Sequence, residues 1–141
     1  MNSYTIDTMD VGLNHQFTSK VSEEKLKAFL LVSGDVNPLH TNADHARACG
    51  HPDVVVYGML TASLYSTLVG VYLPGKWALL QEVQTKFTRP VYLQDELTVS
   101  GEVMDVHRLL RRVELKASIR NQHGNVVSKA RIYSGVGEIQ I

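Results

Sequence analysis

The sequence has little cysteine and no excess of charge of either sign. Cys49 is the only cysteine in the 141 residues, so no internal disulfide is possible, as is typical of a reducing compartment. Fourteen Lys and Arg residues balance fourteen Asp and Glu residues, which gives no reason to expect nucleic acid or a charged membrane surface as the main partner. The N-terminus has neither the basic start nor the apolar core of a signal peptide. We therefore expect a cytoplasmic protein.

Several sequence signals of other protein classes are also missing. Gly34 and Gly50 are isolated, so there is no glycine-rich phosphate loop. Ser63 and Ser66 lie in no Gly-x-Ser-x-Gly pattern, which argues against a serine hydrolase. Cys49 has histidines nearby but no third or fourth ligand at the spacing of a metal site, so no metal is expected.

One long hydrophobic run is present, and it raises the question of a membrane span. Residues 54–73 contain no charge, over about the length that crosses a bilayer. The run also contains serine, threonine, glycine and tyrosine, and Lys76 is its only close basic flank. These features favour a helix buried in protein over one in a membrane.

Helices are predicted in the first half of the chain. Ser22 is a suitable N-cap, acidic Glu23 and Glu24 follow it, and Gly34 is suited to the left-handed position after the last turn. Apolar residues at 26, 29 and 30 have helical spacing. The sequence further predicts a short strand at 15–21, a turn at 35–39, a short helix at about 42–49, an extended segment at 54–56 and a long helix from about Gly58 to Val71.

Strands are predicted from Trp77 onward, because apolar and polar residues alternate as in strands with one solvated face. The alternation covers residues 79–87, 97–103, 112–120 and 129–136, with a turn at 121–125. Helices followed by antiparallel strands indicate an α+β fold. The long helix is apolar on all sides, so we expect a strongly curved sheet to wrap around it, in a single domain over residues 1–141.

Asp35 and His40 place a carboxylate and an imidazole five residues apart across an Asn37-Pro38 turn. Such a pair can act as general acid and base, since histidine titrates near neutral pH and a carboxylate can orient it or share its proton. Asp-x-Asn-Pro is also common in ordinary turns. Spacing alone leaves both interpretations open.

Gly58 is predicted to begin the long helix. The free N–H groups of a helix start can stabilise developing negative charge, and glycine lets a ligand approach the backbone. The alternative is that glycine relieves crowding where extended chain becomes helix. Ser66, two turns further on, either faces a site or bonds to a carbonyl of its own helix.

Four stretches together resemble the MaoC-like, (R)-specific enoyl-CoA hydratases. They are Ser33-Gly34-Asp35-Val36-Asn37-Pro38-Leu39-His40, Tyr57-Gly58-Met59-Leu60-Thr61-Ala62-Ser63, Leu73-Pro74-Gly75 and Phe87-Thr88-Arg89-Pro90-Val91. The first stretch is specific and the others are supportive. The resemblance extends over about residues 15–137.

The resemblance implies a hot-dog fold, in which a long central helix is wrapped by a curved antiparallel sheet, usually in a homodimer or higher homo-oligomer. It implies that Asp35 and His40 are catalytic and that the Gly58 N–H forms the oxyanion hole. Ser66, Tyr57 and Asn37 are expected in the substrate pocket. Family members often have histidine where this chain has Tyr57, which implies an altered pocket wall.

The resemblance also implies reversible hydration of trans-2-enoyl-CoA to (R)-3-hydroxyacyl-CoA. No metal or redox cofactor is expected, since coenzyme A is part of the substrate, and the thioester is carried by coenzyme A or by a carrier protein. Alternatives are a hot-dog acyl-thioesterase, a carrier-protein-linked dehydratase, or a non-catalytic acyl-binding subunit. Lys86 and Arg89 could face coenzyme A phosphates, although surface charge is the simpler interpretation.

Overall fold

The structure is a computed structural model that describes residues 1–137. It contains a five-stranded antiparallel sheet with the strand order β1-β3-β4-β5-β2. The strands are β1 (Asn14–Lys20), β2 (Ala78–Phe87), β3 (Glu96–His107), β4 (Arg112–Arg120) and β5 (Val126–Val136). The helices are α1 (Glu23–Ser33), α2 (Pro38–Thr41), α3 (Ala43–Ala48) and α4 (Gly58–Thr67). The α+β class is therefore confirmed.

The sheet buries one face against α4, as the alternating pattern predicts. On β4, every second side chain from Val113 to Ile119 is buried and Lys116 between them is exposed. Tyr65 and Leu68 of the central helical segment are fully buried against this face. At Gly101 of β3, a Cβ atom would lie only 2.7 Å from Leu68 Cδ2, so the absence of a side chain there lets the helical segment approach the sheet.

The predicted helix boundaries agree well with α1 and less well with α4. Ser22 Oγ accepts a hydrogen bond from the Lys25 N–H, and Gly34 closes α1 with a φ of 68°. α4 begins at Gly58 as predicted, but it is α-helical only to Thr67 and continues as a π-helical turn, Leu68–Tyr72. No helix among residues 1–137 is long and apolar enough to cross a membrane.

One side of α4 is left uncovered, which differs from the expectation that a single sheet covers it all round. Met59, Ser63 and Ser66 are exposed and occur at i, i+4 and i+7, so they form one stripe along the helix. The N-terminal segment packs on the fold: the Asn2 N–H donates to Val71 O at 2.8 Å, and Met9 is fully buried.

The inward face predicted for β2 is wrong at the first end of the strand. Leu79 is 67% exposed, although it falls on the apolar side of the sequence alternation. Phe87 at the other end is 48% exposed, but its ring lies against Gly58 at the start of α4, as the alternation predicts. A register shift between Leu80 and Glu82 interrupts the pairing with β5. An extra residue at such a bulge bends the strand and re-aims its side chains. β2 lies at the edge of the sheet. The side chains of Leu79 and Leu80 on this edge strand are exposed to solvent.

Candidate active site

His40 lies on α2, a single helical turn that the sequence did not predict. Pro38 suits the first helical position because it has no N–H to leave unpaired, and Asn37 Oδ1 caps the turn by accepting the Leu39 N–H at 3.0 Å. His40 Nδ1 lies 2.6 Å from the backbone oxygen of Val55. Because a carbonyl can only accept, Nδ1 carries the proton, and Nε2 is left as a proton acceptor in the neutral ring.

Asp35 lies in the turn between α1 and α2 and is exposed. Its Oδ1 accepts the Asn37 N–H at 3.1 Å, and its own N–H donates to Ser33 Oγ at 3.2 Å. This local turn fixes the direction of the carboxylate. Among residues 1–137, no side chain forms an ion pair with Asp35, so its charge is available to a ligand or to water.

Tyr57 contacts both Asp35 and His40. Its hydroxyl donates a hydrogen bond of 2.8 Å to the backbone oxygen of Asp35. Its ring is 2% exposed and packs with its centroid 4.2 Å from that of His40 and 5.1 Å from that of Phe29. Burial, with a smaller contribution from the Asp35 charge, raises the pKa of the Tyr57 phenol. The hydroxyl therefore remains a hydrogen-bond donor at neutral pH.

The start of α4 is open toward the same region. Tyr57 is its N-cap residue and provides no side-chain cap, and the Gly58 N–H donates no hydrogen bond to any other residue among 1–137. A Cβ atom at Gly58 would lie 3.3 Å from the Phe87 ring. Glycine lets the Phe87 ring lie against the backbone at the point where the helix begins, and any larger residue would displace the ring.

His40 and Gly58 meet on one small cavity, of about 130 Å³. The other lining residues are Val55, Val56, Thr61, Phe87, Arg89, Pro90, Val91 and Val127. Thus the His40 side chain and the uncapped start of α4 line one mostly apolar space. This arrangement can move a proton to or from a bound molecule while the helix start stabilises negative charge on it.

The other predicted site residues do not line this cavity in the single chain. Asp35 is linked to it through Tyr57, Asn37 caps α2, and Tyr57 lies behind His40. Ser66 is exposed on the uncovered stripe of α4, about 12 Å along the axis from Gly58 at 1.5 Å per residue. The structure therefore does not place Ser66 with His40 within one chain.

The role of Val55 was not predicted from the sequence, and the roles of Phe87 and Arg89 were predicted only in part. Val55 orients the histidine through its backbone oxygen, and any residue could supply that atom, so no sequence signal marks it. Phe87 was named only as part of a supportive stretch, and Arg89 was named there and as a possible contact of coenzyme A phosphates. Both residues line the cavity. Among residues 1–137, no three His, Cys, Asp or Glu side chains are grouped to hold a metal ion.

The fold and the site together define a class: a hot-dog domain with its helix start and a histidine on one cavity. The chain matches the model of the MaoC like domain over residues 7–124 and belongs to that family. Among solved structures, it superposes on the R-hydratase PhaJ1 from Pseudomonas aeruginosa with a TM-score of 0.89 and 31% identity, over 95% of this chain and 86% of the other. The hot-dog fold expected from the resemblance is confirmed.

The names of two relatives indicate different thioester carriers, coenzyme A in one and an acyl-carrier protein in the other. The (R)-specific enoyl-CoA hydratase of Aeromonas caviae is 34% identical over 96 residues, which cover 68% of this chain and 72% of that enzyme. A mitochondrial 3-hydroxyacyl-[acyl-carrier-protein] dehydratase of Arabidopsis thaliana is 36% identical over 80 residues, which cover 57% of this chain and only 47% of the relative.

Proposed function

We propose that this protein is a hydro-lyase that reversibly adds water to a trans-2-enoyl thioester. The observation that carries the proposal is the shared cavity: His40 and the uncapped start of α4 at Gly58 face the same space. Membership of the MaoC-like family supports the same class of reaction. The names of the relatives favour an (R)-3-hydroxyacyl thioester as the product.

In the forward direction, water oxygen forms a bond to C3 of the enoyl group. His40 Nε2 and the Asp35 carboxylate hold this water, and one of them takes its proton. The electron pair of the C2–C3 double bond moves toward the thioester carbonyl, whose oxygen gains negative charge. The Gly58 N–H and the dipole of α4 stabilise that charge. A proton delivered to C2 by the same pair then gives the 3-hydroxyacyl thioester.

The apolar edge of β2 and the open stripe of α4 support a homodimer as the working form. Leu79 and Leu80 lie exposed on an edge strand, and an apolar edge strand is a surface that pairs readily with another strand. Pairing of β2 with the β2 strand of a second copy would bring the exposed stripe of α4 toward that copy. Ser66 would then lie at the subunit interface, where a second protomer could complete the pocket.

The test is to give the purified protein trans-2-enoyl-CoA thioesters of several chain lengths. Loss of the conjugated enoyl absorbance reports hydration, and release of free thiol reports hydrolysis. The proposal predicts hydration without thiol release, and dehydration of the (R)-3-hydroxyacyl thioester in preference to the (S) form. Thiol release would favour a thioesterase, and binding without turnover would favour an acyl-binding subunit; either result would contradict the proposal.

A further inference from the structure

A second and larger cavity, about 690 Å³, crosses the face of the sheet that points away from α4. We call it the basic groove. Its charged lining comprises Lys86, Lys116, Arg120, Lys129 and Arg131, opposed by Glu102 alone. In a chain whose charges balance overall, this is a local concentration of positive charge on one surface.

Strand register explains how the basic groove is built. Ser100 on β3, Ser118 on β4 and Lys129 on β5 are successive cross-strand neighbours, and Lys86 on β2 is paired with Lys129. The two serine hydroxyls lie 3.2 Å apart at the centre of the sheet. Small hydroxyl side chains therefore form the floor, and long cationic side chains rise at one end of it.

Two of the cationic side chains in the basic groove lie where they reduce the stability of the folded protein. Lys86 lies directly opposite Lys129, and like charges in such cross-strand positions are destabilising. Lys116 lies between Arg131 on one neighbouring strand and Glu102 on the other. Arg131 is paired with Glu114. The side-chain ammonium groups of Lys86, Lys116 and Lys129 form no hydrogen bond or ion pair with another residue in the described part of the chain. An anionic ligand would satisfy them.

The basic groove ends at the same corner of the sheet as the His40 cavity. Lys86 lines the groove and its neighbour Phe87 lines the cavity; likewise, Val126 lines the groove and Val127 the cavity. Since successive strand residues point to opposite faces, the two spaces lie back to back. Arg89, just beyond the end of β2, is on the cavity wall, so a long ligand could pass around that end from one space to the other.

We propose that the basic groove binds the phosphorylated nucleotide end of a coenzyme A thioester whose acyl end occupies the His40 cavity. This inference rests on the proposed hydratase function and selects coenzyme A over a carrier protein as the thioester carrier. Coenzyme A has a diphosphate and a 3′-phosphate at the end remote from its thiol, which matches a groove with three unpaired ammonium groups. The groove volume is within the usual range for small-ligand sites.

The test compares two substrates with the same acyl group, crotonyl-CoA and crotonyl-pantetheine, which lacks the nucleotide. In the Lys86→Gln, Lys116→Gln, Lys129→Gln triple variant, we expect KM for crotonyl-CoA to rise about tenfold or more, because charge-assisted hydrogen bonds are lost. We expect kcat, and all constants for crotonyl-pantetheine, to stay unchanged. Since the variant removes the like-charge pair of Lys86 and Lys129, its melting temperature should not fall.

A triple variant with the same change of net charge, Lys20→Gln, Lys27→Gln, Lys76→Gln, is the control and should keep the wild-type KM for both substrates. Equal effects of the groove variant on both substrates, or no effect on either, would overturn the proposal. So would a loss seen only with a carrier-protein-bound substrate, which would instead indicate an acidic carrier as the partner.

Calorimetric titration with adenosine 3′,5′-bisphosphate separates this proposal from the proposed function. The wild-type protein should bind the bisphosphate more tightly at low ionic strength than at high, because salt screens exposed charges, and the groove variant should lose that binding. Lysine-dependent binding in a protein without hydratase activity would support the groove while rejecting the hydratase. Absence of bisphosphate binding in an active hydratase would reject the groove alone.

Discussion

The hydroxyl of Tyr57 donates a hydrogen bond of 2.8 Å to the backbone oxygen of Asp35. The same side chain packs its ring against His40, so one buried phenol fixes both ends of the Asp35–His40 segment. Because Tyr57 directly precedes Gly58, it also links the turn that carries the carboxylate to the proposed oxyanion hole. Tyr57 was expected in the pocket wall; in the structure it contacts both proposed catalytic residues and can position them.

Tyr57→Phe removes this hydrogen bond and keeps the aromatic packing. We expect kcat for enoyl-CoA hydration to fall about 10- to 100-fold, because a small displacement of catalytic groups is costly, while the free energy of unfolding falls by about 1 kcal/mol. Steady-state kinetics and denaturant unfolding measure the two effects.

Tyr65→Phe is the matched control, since Tyr65 is equally buried and its hydroxyl donates to Ser128 Oγ at 2.9 Å, within the core. It should lose similar stability and keep kcat. Equal kcat values in the two variants would show that the Tyr57 hydroxyl has no positioning role.

Gly58→Ala adds a methyl group where the Phe87 ring lies 3.3 Å away. The ring must move, and because it is part of the cavity wall we expect kcat to fall about tenfold or more through misplacement of the substrate. Gly70→Ala, where a Cβ atom would meet nothing within 4 Å, should leave kcat unchanged. The double variant Gly58→Ala, Phe87→Leu should regain part of the activity; a failure to regain any would contradict crowding as the cause.

Features set by neighbouring residues were predictable from the sequence. α1 with its Ser22 cap and Gly34 end, the alternating faces of β3 to β5 and the start of α4 at Gly58 all depend on local propensity or on a repeating pattern. The position of His40 and Gly58 in one site followed from a family resemblance, because spacing alone did not distinguish an active site from an ordinary turn.

Features set by tertiary contacts were not predictable in the same way. The orientation of His40 depends on the Val55 backbone oxygen, which no side chain encodes. The faces of β2 changed because a bulge shifts its register against β5, and the basic groove exists only because residues distant in sequence are paired across strands. Each of these depends on which strands become neighbours.

The alkaline titration of the tyrosines provides a separate test of the buried phenol. Burial raises the pKa of Tyr57, so in the folded protein its proton is released above the ordinary value of about 10. Tyr57→Phe should therefore remove a late-titrating phenolate from the ultraviolet absorbance titration. In the wild type, this group should not affect stability below about pH 10 and should reduce it as pH rises through the folded pKa. Loss of a phenolate that titrates at the ordinary value would contradict its burial.

The exposed apolar side chains of edge strand β2 predict a homodimer. A Leu79→Lys, Leu80→Lys double variant places charge on the exposed apolar edge, a substitution that blocks strand pairing, and should convert a homodimer into monomers in size-exclusion chromatography with light scattering. Leu109→Lys is the control, because Leu109 is 89% exposed but lies between β3 and β4. A wild-type protein that is already a monomer would reject the dimer.

Asp35→Asn and His40→Gln test the central claim most directly, by initial rates of crotonyl-CoA hydration alongside thermal unfolding. Each variant should lower kcat by at least about 100-fold, the usual contribution of a positioned acid or base, with little change in melting temperature, while His45→Gln on α3 should retain full activity. Near-wild-type rates in a folded Asp35→Asn or His40→Gln variant would contradict the proposed mechanism.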